Sequence, residues 1–368
     1  MKKSMTKSSI AILLCALLLF PPFIPCARAA ETVSVSAQSA VLYQPDTQSF
    51  PLEKKADTPL PMASTTKIMT ALTALSLLSP DEIVTVPKEA VGIEGSSAYL
   101  QENEALTVEA LLYALLLQSA NDAATTLAIH ACGTEAAFAE EMNRLAKDLG
   151  LTQTHFENPH GLPSEGHYTT ARELAYIAHA ALLDPLIAKI VSTKVYRATT
   201  SLRTLTFANH NKLLRLSSDA VGVKTGFTKA SGRCLVGAAK RDGVLLISVT
   251  LNAPSDWQDH MRMWEYGFSL FECKEILSAR EYRKNILVFG GIKPFITVTN
   301  KESFSAVLPK NATLSLRANV LPFPPLPIRE GQVLGDLQIY AGEKEIGRVP
   351  LYAAESLSLL TKRKLFQK

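Results

Sequence analysis

Three short words stand in one order along the 368 residues: Ser64-Thr65-Thr66-Lys67, Ser119-Ala120-Asn121 and Lys224-Thr225-Gly226. Ser-x-x-Lys alone is weak, since about one or two copies arise by chance in a chain this long. A stray copy indeed stands at Ser4 and Lys7. Lys-Thr-Gly fixes three residues and arises by accident on the order of once in ten such chains. All three words in this order are far rarer, and they require a fold that gathers a helix start, an interhelical turn and a strand at one place.

The patterns around each word say what that fold is. Ile68, Met69, Ala71, Leu72, Leu75 and Leu78 recur at helical spacing and Pro80 stops them, so Ser64 opens a helix. Residues three apart share a helix face, which puts Lys67 one turn above Ser64. Thr107–Leu117 reads as a buried apolar helix interrupted by Ser119-Ala120-Asn121. A second one follows from Asp122 to Cys132, with Gly133 as its stop. Thr134–Leu149 and Thr170–Leu183 add further helices, the latter opening on the capping box Thr170-x-x-Glu173. The third word lies on extended chain. Ala220–Val223 leads into Lys224, and Cys234–Lys240 and Val244–Leu251 form a hairpin around Arg241-Asp242-Gly243. Val33–Tyr43 alternates as an edge or hairpin strand. An α/β sandwich follows, helices on an antiparallel sheet, with its site in the cleft between layers.

These residue types suit acyl transfer. A serine hydroxyl becomes a nucleophile when a neighbouring base takes its proton, and a lysine serves as that base only when neutral. Burial and a second cation lower a lysine's proton affinity, which casts Lys67 as the base and Lys224 as the second cation. Ser119 can relay a proton to a leaving amine. The Asn121 amide can meet donors and acceptors of a peptide-like substrate. Lys224 and Thr225 offer a charge and a hydroxyl to a carboxylate, and Gly226 leaves room for a ligand along the strand. The amides of Ser64 and Phe227 are the candidate oxyanion donors. With a lysine in place, His160 and His167 read as pocket-wall residues, and Trp257 and Trp264 as core.

Bulk properties bear on where such chemistry would run. Residues 1–29 carry Lys2, Lys3 and Lys7, an apolar run from Ile10 to Ile24, and Ala27-Arg28-Ala29, the pattern of a secretory signal peptide. Setting aside the leader's four basic residues, the 38 become 34 against 34 acidic ones, so the mature chain is neutral and carries no nucleic-acid footprint. Cys132, Cys234 and Cys273 remain, too few and too widely spaced for a disulfide framework or a zinc site. They are expected to be mostly buried, inert thiols. No metal or cofactor is expected. The length calls for two domains: a catalytic one over 30–275 and a β-rich one over 276–353, with strands at 286–289, 295–299, 312–316, 332–340 and 345–351. The tail 354–368 sets Leu357, Leu359, Leu360, Leu365 and Phe366 beside Lys362, Arg363, Lys364 and Lys368, as a membrane-surface anchor would.

The three words are the set shared by penicillin-binding proteins and serine β-lactamases. Pro61–Leu72, Leu111-Leu112-Tyr113 with Ser119–Ala124, Phe156-x-Asn158-Pro159-His160-Gly161-Leu162 and Val223–Thr228 resemble the D-alanyl-D-alanine carboxypeptidases of peptidase family S11 from residue 40 to about 271. Ala120 stands where glycine is usual, and no arginine near Pro254–His260 matches one that some members place by the substrate carboxylate. The resemblance implies a transpeptidase-like sandwich followed by a smaller β-rich domain. It also implies Ser64 as acylated nucleophile, Lys67 as base, Ser119 and Asn121 as a second wall, and Lys224–Phe227 as the substrate strand. The implied substrate is the D-Ala-D-Ala end of peptidoglycan stem peptides, outside the cytoplasm, with β-lactams as covalent inhibitors. Competing readings are a D,D-endopeptidase, a non-enzymatic wall-binding or drug-sensing module, and a β-lactamase. The last lacks, between Ser119 and Lys224, a glutamate followed four residues later by asparagine.

Overall fold

The computed structural model describes residues 33–360. The expected leader, and the expected tail from residue 361 on, lie outside the described residues. Five antiparallel strands form the central sheet: β1 (Ser39–Gln44), β2 (Ser49–Lys54), β3 (Ala220–Thr228), β4 (Gly232–Arg241) and β5 (Val244–Leu251). Their spatial order is β2-β1-β5-β4-β3, so the strand carrying Lys224-Thr225-Gly226 is an edge. β4 and β5 turn through Asp242 and Gly243, both at positive φ, as a two-residue hairpin loop demands.

Strand alternation splits β5 between two layers. Ile247, Val249 and Leu251 join the large core under the helices. On the other face Ser248 and Thr250 hold His260 of the later helix Asp256–Leu270 between them, at 2.6 and 3.0 Å. Complete burial holds His260 near a pKa of about 3, hence neutral. Gly237 lets this helix approach, since a Cβ there would stand 2.5 Å from the His260 ring.

The helical layer is built from α1 (Lys67–Leu77), α2 (Val108–Tyr113), α3 (Asn121–Cys132), α4 (Glu135–Asp148) and α5 (Ala171–Leu183). Three local departures from the sequence expectation matter. Ser64 lies on a separate 3-10 turn, Ala63–Thr66, rather than inside the helix it precedes. The predicted Thr107–Leu117 helix loosens after Tyr113 into a wider π-type turn, Ala114–Gln118, that ends with Ser119 at φ 64°. The Thr170 capping box is half made: Thr170 Oγ1 accepts from the Glu173 amide at 3.1 Å, but the Glu173 carboxylate turns away to accept from the amides of Thr152 and Gln153. Thr170→Ala should therefore cost about 1 kcal/mol, the worth of one cap, readable as a lower denaturation midpoint with unchanged slope.

The second part is all β. The strands are β6 (Phe271–Leu277), β7 (Arg283–Leu287), β8 (Phe295–Asn300), β9 (Phe304–Pro309), β10 (Leu314–Val320), β11 (Val333–Ala341) and β12 (Lys344–Ala353). Five make one sheet in the order β7-β8-β12-β11-β10, while β6 pairs with β9. The β6–β9 ribbon was not expected from the sequence, because its faces are mixed rather than alternating. Two expectations are corrected here. Cys273 is exposed on β6 rather than buried. Leu357, read as tail, is 1% exposed within this domain's core beside Ile328 and Leu351. All three cysteines are free thiols.

Candidate active site

The 3-10 turn delivers Ser64 to one end of a cleft of about 280 Å³ lined by Ser64, Ser96, Ser119, Thr225, Gly226, Phe227, Arg233 and Trp257 among others. Two glycines bring the turn to its place. An added Cβ on Gly226 would stand 3.1 Å from the amide nitrogens of Ser64 and Thr65, so the edge strand runs flush against the turn. Gly226 thus serves chain-to-chain approach, a role the sequence reading of room for a ligand did not include. Gly161, at φ 84°, has an even tighter position, its missing Cβ falling 2.0 Å from the Ala63 carbonyl oxygen. The turn is also pinned from the side. The Glu157 amide donates to His167 Nδ1 at 3.1 Å, which leaves Nε2 as the protonated nitrogen facing Thr66 Oγ1 at 2.7 Å, and Thr66 donates onward to the Ala63 carbonyl. Burial lowers His167 to a pKa of about 4, so this donor stays neutral.

Lys67 is fully buried beneath the turn. Its Nζ lies 2.6 Å from Asn121 Oδ1, 2.6 Å from the His160 carbonyl oxygen and 3.1 Å from Ser64 Oγ. A neutral amine has two N–H bonds and one lone pair. The two short acceptors take the two hydrogens, and the lone pair then faces the serine hydroxyl. Desolvation, and next the positive charge of Lys224, push the Lys67 pKa well below its usual value, favouring that neutral form.

Asn121, expected to meet substrate, also has partners within the protein. It is buried, its Oδ1 spent on Lys67 and its Nδ2 on the Glu94 carbonyl at 2.5 Å, an orientation fixed because only an oxygen can accept from the amine. Asp122, at the first turn of α3, accepts from the amides of Ala98 and Leu100 and so moors the segment that carries Ser96 to the cleft. Ser119 lines the same cleft from its left-handed corner.

Lys224 of β3 is buried, its Nζ donating to the Thr225 carbonyl at 2.9 Å. Desolvation lowers it to a pKa of about 7. His210, also in the lining, is lowered by burial and then by Lys224. Thr225 and Gly226 are half-buried in the cleft, and Phe227, which also lines it, is 65% exposed.

Sequence reasoning missed Ser96, His210 and Asp256 of the lining, and with them one cation. Arg233 of β4 reaches this cleft with its Nη2 held by both Asp256 carboxylate oxygens at 2.9 and 2.8 Å, its guanidinium over Trp257, and its buried Nε without a protein partner. Trp257 is therefore a cleft residue, while Trp264 is core as expected. Antiparallel pairing sets Arg233 directly across from Phe227. No local motif marks it. His160 was read as pocket wall, but its backbone carbonyl, rather than its ring, is what reaches Lys67.

The profile of the D-alanyl-D-alanine carboxypeptidase family, peptidase S11, matches residues 26–255, and that of the penicillin-binding protein 5 C-terminal domain matches residues 271–358. Among curated relatives, D-alanyl-D-alanine carboxypeptidase DacF of Bacillus subtilis is 30% identical, over 87% of this chain and 86% of its own. DacC of Escherichia coli is 32% identical, over 91% and 88%. The solved structure of DacD from Francisella tularensis superposes with a TM-score of 0.64 at 26% identity, covering 90% of this chain and 96% of that one. With the serine, its buried amine and the cationic edge strand arranged as above, the chain belongs to the D-alanyl-D-alanine carboxypeptidase family S11, serine peptidases of the penicillin-binding class.

Proposed function

We propose that the chain removes the terminal D-alanine from peptidoglycan stem peptides through an ester on Ser64. The observation that carries this reading is Lys67 Nζ at 2.6 Å from both Asn121 Oδ1 and the His160 carbonyl oxygen and at 3.1 Å from Ser64 Oγ, a geometry that in the neutral amine leaves the lone pair for the serine. Ser64 Oγ attacks the carbonyl carbon of the penultimate D-alanine while its proton passes to Lys67 Nζ. The tetrahedral oxyanion is met by the amides of Ser64 and Phe227, which the close approach at Gly226 brings near each other. Ser119 gives its hydroxyl proton to the departing amine of the terminal D-alanine and is reprotonated by Lys67 Nζ, which returns to its neutral form, and water then hydrolyses the ester.

The substrate's terminal carboxylate lies along β3, where Lys224 supplies charge and Thr225 a hydroxyl, with Arg233 at the far side of the cleft. Asn121 acts by holding Lys67. Residues 30–275 form the catalytic domain and 276–353 the second. The leader exports the chain, and the basic tail from Lys362 contacts the membrane outside the cytoplasm.

The test is direct. Incubated with labelled penicillin and, separately, with a pentapeptide ending in D-Ala-D-Ala, the protein should give a long-lived adduct, mapped to Ser64 by peptide mass, and free D-alanine. Label on another residue, or rapid loss of label with no D-alanine released, defeats the proposal.

A pH profile follows from the two amines. Catalysis needs Lys67 neutral and Lys224 charged, so kcat/KM should climb through the depressed Lys67 pKa and fall as Lys224 discharges near pH 7. Lys224→Arg keeps its charge at every accessible pH. The alkaline fall should then vanish, and its persistence would assign that limb elsewhere.

A further inference from the structure

The second domain leaves an apolar tip uncovered. Phe289 and Phe323 stack at a centroid separation of 4.5 Å yet remain 73% and 52% exposed. Around them stand Leu287, Ile292, Leu359 and Leu360, each at least two-fifths exposed. The three segments that build this tip converge at Gly290 and Gly291: Leu359 bridges to Gly291, the Leu360 amide donates to the Gly290 carbonyl, and Ile328 and Leu357 exchange backbone hydrogen bonds. Segments 286–296, 321–328 and 354–360 hold one lysine and one glutamate between them, Lys293 and Glu355, and these pair with each other at 2.6 Å. The tip is thus apolar, electrically neutral and stiffened by prolines at 322, 324, 325 and 327. A soluble domain seldom leaves such a cluster in water without an occupant.

The chain next to the tip says which occupant. Past Leu360 it continues Thr-Lys-Arg-Lys-Leu-Phe-Gln-Lys, four basic residues and no acidic one. An apolar tip adjoining cationic chain matches the interface of an anionic bilayer, where aromatic and aliphatic side chains enter among the headgroups while lysine and arginine meet phosphate. We propose that the folded second domain itself docks on anionic lipid through the Phe289–Phe323 tip, as a contact additional to the tail and independent of it.

The experiment uses the chain from residue 30 onward, so that the leader contributes no affinity, with vesicles of phosphatidylcholine alone or mixed equally with phosphatidylglycerol. Wild-type protein should sediment with the anionic vesicles, and removal of 361–368 should weaken but retain that binding. Phe289→Ser with Phe323→Ser, both at exposed positions, should lower the partition coefficient at least about tenfold in either background, while D-alanine release from a soluble pentapeptide is unchanged. Phe323→Trp should shift its emission to the blue on adding vesicles. Serine variants that partition like wild type overturn the inference. So does a protein that ignores vesicles but forms a dimer that the serine variants dissociate, because the tip then belongs to a second copy of the chain.

Discussion

Lys67→Ala should slow acylation of Ser64 by penicillin by about two to four orders of magnitude, the usual worth of a positioned general base. The loss has a specific origin. Nζ is the one group within hydrogen-bond reach of Ser64 Oγ among the side-chain contacts of the described residues, at 3.1 Å. Without it the hydroxyl must ionise unaided, so the residual rate should rise steadily with pH instead of passing through the limb set by a depressed amine. Lys67→Arg distinguishes a base from a mere cation. A guanidinium stays charged and has no lone pair to offer, so it should be about as slow as alanine even though positive charge is kept. The readout is the second-order rate of adduct formation with labelled penicillin. A Lys67→Ala enzyme acylating within tenfold of wild type, or a Lys67→Arg enzyme close to it, removes Lys67 from the base's role. Stability should change less than rate, since deleting the amine leaves Asn121 Oδ1 and the His160 carbonyl without a donor but also frees the fold from burying an ionisable group.

The sandwich was legible because each word sat inside a strong local pattern. Apolar residues at helical spacing after Ser64 and alternation through Val244–Leu251 each fix an element, and a turn such as Asp242-Gly243 leaves the chain little choice. What escaped was everything decided by a partner distant in sequence. The Glu173 side chain fits the capping rule locally, yet three groups from residues 152–154 claim its carboxylate. The Asn121 amide was read toward substrate alone, while its bonds to Lys67 and the Glu94 carbonyl join it to groups far along the chain. Arg233 carries no motif; only strand register across from Phe227 and the carboxylate of Asp256 bring it to the cleft. The β6–β9 ribbon failed for a related reason, its faces being mixed where the strand rule looks for alternation. Sequence periodicity reports burial, and these side chains were set by pairing.

Gly161→Ala should damage both stability and acylation, and Gly150→Ala supplies its control. Both glycines sit at positive φ, 84° and 76°, so both substitutions meet the backbone cost of about 1–2 kcal/mol that a Cβ imposes there. At Gly150 nothing lies within 4 Å of the new methyl group. At Gly161 the methyl falls 2.0 Å from the Ala63 carbonyl oxygen, 2.5 Å from its carbon and 2.8 Å from Thr66 Oγ1. Two of these are backbone atoms, which cannot swing aside as a side chain would. Either the 158–162 loop retreats and draws the His160 carbonyl off Lys67, or the 63–66 turn shifts and carries Ser64 with it. The steric part adds about 1–3 kcal/mol to the backbone part. A displacement near 1 Å at the nucleophile costs on the order of a hundredfold in rate. Trp257 and Trp264 both lie in the helix packed on the catalytic sheet, so their fluorescence during denaturation reads that unit, while labelled penicillin reads the site. Gly150→Ala should lose a small amount of stability and no acylation. If Gly161→Ala matches it in both respects, the asparagine–proline–histidine–glycine loop does not set the position of Ser64.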